Sequence, residues 1–193
     1  MDEHRMMYMG WGRFAAIIAT SSIILFFLMY QLVYSWEHVL FSLSRLVSSL
    51  VMGCVMTAVM QAFMWRMYQP GISKLAVLAA ATIAGLALLA VNRSQALIGD
   101  TDFMKAMIPH HSIAINNARK ADIRDARVRY LADRITRDQV KEIAEMKMLI
   151  EDIEQHGRRG NVPLPAGPAT LTRDSAREAQ DLMSGTLLRS EPL

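Results

Sequence analysis

The sequence predicts an all-α protein: three membrane-crossing helices followed by a helical hairpin. Three observations carry that prediction. Residues 14–35, 46–65 and 75–91 are long, mostly apolar runs without a single charge. After Gly99 the pattern changes to apolar residues at steps of three and four, the spacing of one helix face. No alternating strand pattern and no internal repeat appears in the polar half.

Each apolar run is justified by length. At about 1.5 Å per residue, some 20 residues cross a hydrocarbon core of roughly 30 Å. Trp11, Trp36, Trp65 and Tyr68 sit near the ends of the runs, where amphipathic rings favour the headgroup zone. The competing reading, a buried helix of a soluble protein, fits poorly because such helices seldom run this far without charge. A cleaved signal peptide fits the first run poorly too. The start Met1-Asp2-Glu3-His4-Arg5 is a weak positive region, and two more runs follow, so the first reads as a retained anchor.

Composition narrows the function. The 193 residues suffice for one domain, or for a small domain plus something else. The single cysteine excludes an internal disulfide framework and a multi-cysteine zinc site. The pI of about 9.2 suggests nucleic acid until the charges are located. Residues 1–98 carry six basic and three acidic side chains, and the rest carries fifteen of each. The surplus therefore flanks the membrane runs, and no nucleic-acid partner is expected. Arg5, Arg13, Arg66 and Lys74 fall on one side, against Arg45, Arg93 and Lys105 on the other. By the positive-inside rule this places the N-terminus in the cytoplasm. The protein is then a multi-pass protein of a bacterial inner (cytoplasmic) membrane, with its C-terminal half periplasmic or extracellular.

The polar half opens with Asp100, Thr101 and Asp102, any of which can cap a helix running to about Lys120. A turn is predicted over 121–124, with Asp122 or Asp125 capping the next helix. Val128, Leu131, Ile135, Gln139, Glu142, Met146, Leu149 and Ile153 form a seam along that helix, and Gly157 ends it. Glycines and prolines over 157–170 read as a linker. A short helix from Thr172 to about Leu188 follows, or else a disordered or docking tail. The divisions are a tail at 1–12, the spans at 13–93, the hairpin at 99–156, and linker plus short helix or tail at 157–193. Two helices cannot enclose a core alone. The hairpin needs a second copy, forming a four-helix bundle across a dimer, or the C-terminal helix or the membrane domain.

The chemical residues cluster here. Met104, Met107 and His111 lie within roughly 60° of one another on a helical wheel, and His110 points about 100° further round. Thioether sulfur with imidazole nitrogen suits a soft monovalent ion such as Cu(I) or Ag(I). Pro109 predicts a kink, or a break between two short helices. Gln139, Glu142 and Met146 bring polar groups and sulfur into the seam of the second helix. Glu142 has no basic residue three or four positions away, so its partner is tertiary: His110, His111, a metal or another subunit. The bland alternatives are a solvated histidine pair, methionines as core filler, and a solvated Glu142 at the seam's edge. Met52, Met56, Met60 and Met64 form a stripe on the second span, near Cys54 and Met67. Helix packing explains it better than a soft-ion relay. Met1, His4, Met6, Met7 and Met9 make a further soft-donor group in the tail.

Asp100-x-x-Phe103-Met104-x-x-Met107-Ile108-x-His110-His111-x-x-Ala114-Ile115, followed by Leu131-Ala132-x-x-Ile135-x-x-x-Gln139-x-x-Glu142-Ile143-x-x-Met146, resembles the DUF305 family over residues 99–155. The front end, with Met6-Met7-Tyr8-Met9 and Val51-Met52-Gly53, resembles its membrane-anchored members. The resemblance implies a ferritin-like helical-bundle fold. It also implies extracytoplasmic copper and silver binding through methionine and histidine, since some members act so in copper tolerance. By position the ligands would be Met104, Met107, His110, His111 and Met146, with Gln139 and Glu142 as nearby polar partners. Longer members carry the helix pair twice and this chain carries it once, which favours a dimer.

The expected function is capture or buffering of Cu(I), with silver as a second ion. One alternative is a structural or sensory membrane protein whose hairpin dimerises or binds a partner without metal. A ferritin-like oxidoreductase ranks last, because the Glu-x-x-His pairs of di-iron bundles are absent from the sequence. No Gly-rich nucleotide loop or nucleophile elbow is present either, so neither catalytic residues nor a nucleotide cofactor are expected.

Overall fold

A computed structural model describes residues 10–67 and 71–185. The described residues form six α-helices and no strand: α1 Trp11–Leu28, α2 Leu43–Phe63, α3 Gly71–Ser94, α4 Asp100–Lys120, α5 Ala126–His156 and α6 Arg173–Ser184. Short 3-10 turns occupy Trp36–His38 and Trp65–Met67. The chain divides into two compact units. The first holds Met1–Gln31 and Val39–Met107, and the second holds Leu32–His38 and Ile108–Leu193. The first two turns of α4 thus count with the first unit and the rest of the helix with the second. The N-terminal methionine group, Tyr68 and Leu188 lie outside the described residues.

In the first unit, α1, α2 and α3 have 18, 21 and 24 residues and are long and apolar enough to cross a membrane. The first differs from expectation. The uncharged run continues to Ser35, yet the helix stops at Leu28. The next residues are tied into a loop instead. The Tyr30 hydroxyl donates to the Leu40 carbonyl at 2.8 Å, and the Arg45 guanidinium donates to the Met29 carbonyl. That guanidinium also lies 4.5 Å from the centre of the Tyr30 ring. A cation and two carbonyls gain more from these bonds than a sixth helical turn would return. Ser42 then caps α2 by accepting from the Arg45 amide.

Helix α2 is central, with α1 and α3 packed on it. Small residues permit the approach: a Cβ at Gly53 would lie 2.5 Å from Ser22 Oγ, and one at Gly85 3.1 Å from Cys54 Cβ. An open apolar groove of about 1110 Å³ runs over α2 between α1 and α3, lined by Ser22, Gly53 and Ala84 among others. Met52, Met56, Met60 and Met64 do not line it; they are half-buried along α2.

In the second unit, α4 and α5 form the expected hairpin. Asp100 and Asp102 lie in the first turn of α4 and Arg119 and Lys120 in its last, each complementing the helix dipole. Asp125 is the N-cap of α5, accepting from the Arg127 amide at 2.8 Å, and Gly157 ends the helix at φ 78°. Of the two predicted outcomes at Pro109, the break does not occur: α4 continues through it. His111 meets Glu142, and Arg129 donates to the Ala118 carbonyl, so the helices run antiparallel. The buried apolar side chains include Ile108, Pro109 and Ile115 on α4 and Ala132, Ile143 and Met146 on α5, and the buried polar ones are His111, Ser112 and Asn116. The predicted seam is therefore displaced. Val128, Ile135 and Leu149 are exposed, while Ala132 and Ile143 turn inward. Thr172 caps α6, which joins the N-terminal half of α5 through an Arg134–Glu178 ion pair and an Arg127 bond to the Met183 carbonyl.

Candidate metal centre

The predicted residues separate into those the second unit brings together and those it does not. His111 Nε2 and Glu142 Oε2 are 2.6 Å apart, linking α4 to α5. Gln139, one turn before Glu142, reaches the same oxygen with its amide at 3.5 Å, a long contact. His111 is buried, whereas the Glu142 side chain is 48% exposed, so the pair sits at the edge of the hairpin interior. Of the partners considered for Glu142, the fold supplies His111. Met146 lies one turn beyond Glu142 and is buried. His110 turns away into solvent, its ring centre 6.1 Å from that of His111. Met104 is buried and Met107 half-buried, seven and four residues before His111 on the same continuous helix.

The pairing has a chemical consequence. A carboxylate only accepts, so a neutral His111 donates its Nε2–H to Glu142 and keeps its lone pair on Nδ1. This is the arrangement by which a carboxylate orients a ligating histidine. Among the described residues no group of three His, Cys, Asp or Glu side chains converges as a metal-ion cage. The other candidate donors carried by α4 and α5 are imidazole and thioether, residue types that as a class suit a soft ion.

Sequence reasoning missed the loop residues that join this unit. Ser112, fully buried beside His111, accepts the Tyr34 amide at 2.9 Å and lies 2.9 Å from His38 Nδ1. Glu37 pairs with Lys147 of α5 at 3.7 Å, and the Arg119 guanidinium lies 5.4 Å from the Tyr34 ring centre. Burial and the Lys147 cation push the His38 pKa below its ordinary value, with Glu37 acting against them. One signal could have found this loop. Two helices long and apolar enough to cross a membrane, α2 and α3, separate it from the hairpin, and an even number of crossings would return the chain to the side it left.

Residues 99–190 match the family described as Domain of unknown function (DUF305). This part of the chain is a DUF305 domain. It takes in α4, α5 and α6, and the three apolar helices precede it as in a membrane-anchored member. The chain is also 36% identical over 84 residues to an uncharacterized protein of Acanthamoeba polyphaga mimivirus, covering 42% of this chain and 55% of the relative. It thus spans about half the length of that curated relative. No solved structure matches the chain.

Proposed function

We propose that the DUF305 domain is a membrane-anchored, extracytoplasmic binding domain for Cu(I), with Ag(I) as an alternative ion. The observation that carries this reading is the His111–Glu142 bond at 2.6 Å on a methionine-bearing helix. It fixes the orientation of a buried imidazole through a carboxylate, the arrangement that positions ligating histidines. Met146, Met104 and Met107 would supply thioethers, and His110 a second, exposed imidazole. The bound ion would supply only its affinity for soft donors. The work of the protein is to orient His111, shield it, and keep hard oxygen donors few. Nothing among the described residues points to catalysis.

Three helices able to cross a membrane support the anchoring. The balance of Lys and Arg at their ends supports a bacterial inner membrane with the domain on the periplasmic or extracellular side. Joining of Leu32–His38 to the hairpin agrees with three crossings, because that loop and the domain then share one side. Val128, Ile135 and Leu149, exposed at seven-residue spacing on α5 with Glu142 between them, support a dimer of hairpins. The same stripe favours the second reading, a hairpin that pairs without metal.

The experiment is Cu(I) titration of the full chain in detergent against a competing chelator. His111→Ala is expected to abolish tight binding. Glu142→Gln, which keeps shape but weakens the orienting acceptor, should cost on the order of 10–100-fold in affinity. Wild-type affinity in both variants would leave the metal-free dimer as the better reading.

A further inference from the structure

We propose that the Leu32–His38 segment is a pH-released clasp on α4, held through Ser112 while His38 is neutral and let go when His38 takes up a proton. The geometry sets the logic. Ser112 Oγ accepts the Tyr34 amide and lies 2.9 Å from His38 Nδ1; in the tautomer with the ring proton on Nε2, the hydroxyl donates to the Nδ1 lone pair. One buried hydroxyl thus carries both attachments. A proton arriving from solvent at Nδ1 removes that acceptor and turns it into a donor. The hydroxyl proton then faces a ring nitrogen that carries a proton itself, so the donor–acceptor match is lost between a half-buried ring and a fully buried hydroxyl.

The charged surroundings act in the same direction. Lys147 on α5 bears on His38 as a like charge once the ring is protonated, and Glu37 on the loop opposes it while paired to Lys147. On α4, Ser112 is neutral and His111 is engaged with Glu142. Arg119 adds a further cation at the Tyr34 ring. Burial and Lys147 together outweigh Glu37, which is why the docked ring holds its proton less tightly than free imidazole does. The sign follows. Docking is at full strength above pH 6.5, the ordinary histidine value. It weakens as pH falls from there toward the lower value of the docked ring, by at most about tenfold per pH unit, and then levels off. This device stands whether or not the hairpin takes a metal.

The test is nuclear magnetic resonance of the full chain in lipid nanodiscs, metal-free, with labelled histidine rings and the Tyr34 amide followed from pH 8 to pH 4. The His38 ring should titrate below 6.5 and the Tyr34 amide should leave its hydrogen-bonded shift with the same midpoint. Ser112→Ala should release the amide already at pH 8 and return His38 to its ordinary value. Lys147→Gln, at a half-exposed position, should raise the His38 midpoint and leave the clasp closed at pH 8, so it carries the test even if Ser112→Ala fails to fold. A His38 midpoint at or above 6.5 overturns the proposal. So does a Tyr34 amide indifferent to His38, or a pH response that survives His38→Gln.

Discussion

Helix α2 and the α4–α5 hairpin differ in where most of their buried polar side chains bond, although Ser48 also accepts from Asn92 and Thr136 donates locally. In α2, Ser48, Ser49 and Thr57 each donate to a carbonyl of the same helix three or four residues back. In the hairpin unit, Ser112 bonds residues 78 and 74 positions away, and His111 bonds one 31 positions away. The difference teaches what each surrounding demands. Local satisfaction of hydroxyls is what a helix long and apolar enough to cross a membrane would need among lipids, where neither water nor neighbour is assured. A small amphipathic hairpin has little core to hold it, so its polar groups become the links between distant segments.

The largest expected effect sharpens that contrast. Ile108 is fully buried in the hairpin unit, and Ile108→Ala should cost about 2–5 kcal/mol. Protease digestion in nanodiscs should then cut within α5 at lower urea, while α1–α3 stay protected. Equal loss of protection in both regions would show that the hairpin is not the weaker unit. The second effect tests the exception in α2. Gln61 is fully buried, and neither polar atom of its amide has a hydrogen-bond partner among the described residues. Gln61→Leu should therefore stabilise the spans by about 1–3 kcal/mol, read as a higher thermal midpoint in detergent. A loss of stability would show that Gln61 has a polar partner outside the described residues. The smallest effect concerns the N-cap of α5. The Arg127 side chain and amide beside Asp125 hold its carboxyl down at about 2, from an ordinary 3.8. The cap is therefore complete above pH 3.8 and is lost as pH falls through 2. Amide exchange at the first turn of α5 should rise in that window and no higher. Asp125→Asn should flatten the response.

Much of this fold is written locally and was legible for that reason. Asp125, Gly157 and Thr172 mark helix ends by side-chain or backbone chemistry confined to a few residues. The hairpin's bounds follow from spacing, which also asks for a tertiary partner for Glu142 but leaves His110, His111, a metal and another subunit open. The end of α1 was not legible, because residues 29–35 are as free of charge as the helix before them. What stops the helix is Arg45 and Leu40, reached only after the chain turns. The seam of α5 was displaced for a similar reason. Val128, Ile135 and Leu149 are as apolar as Ile143, and periodicity cannot say which of two adjoining stripes faces the partner. His110 and His111 are indistinguishable as letters, yet one is exposed and the other buried. His38, Tyr34 and Ser112 left no trace in the sequence, since nothing near either end of those bonds announces the other.

The distance between those ends has a consequence for biosynthesis. Tyr34 leaves the ribosome 78 residues ahead of the serine that will hold it. At about 5–20 residues per second, the segment waits roughly 4–16 s before its seat exists. During that interval its backbone amide and imidazole are uncommitted, and α2 and α3 have still to be placed. Attachment of this loop is therefore among the last events of assembly, and a chain stalled before residue 112 presents it open to whatever surveys unfinished membrane proteins.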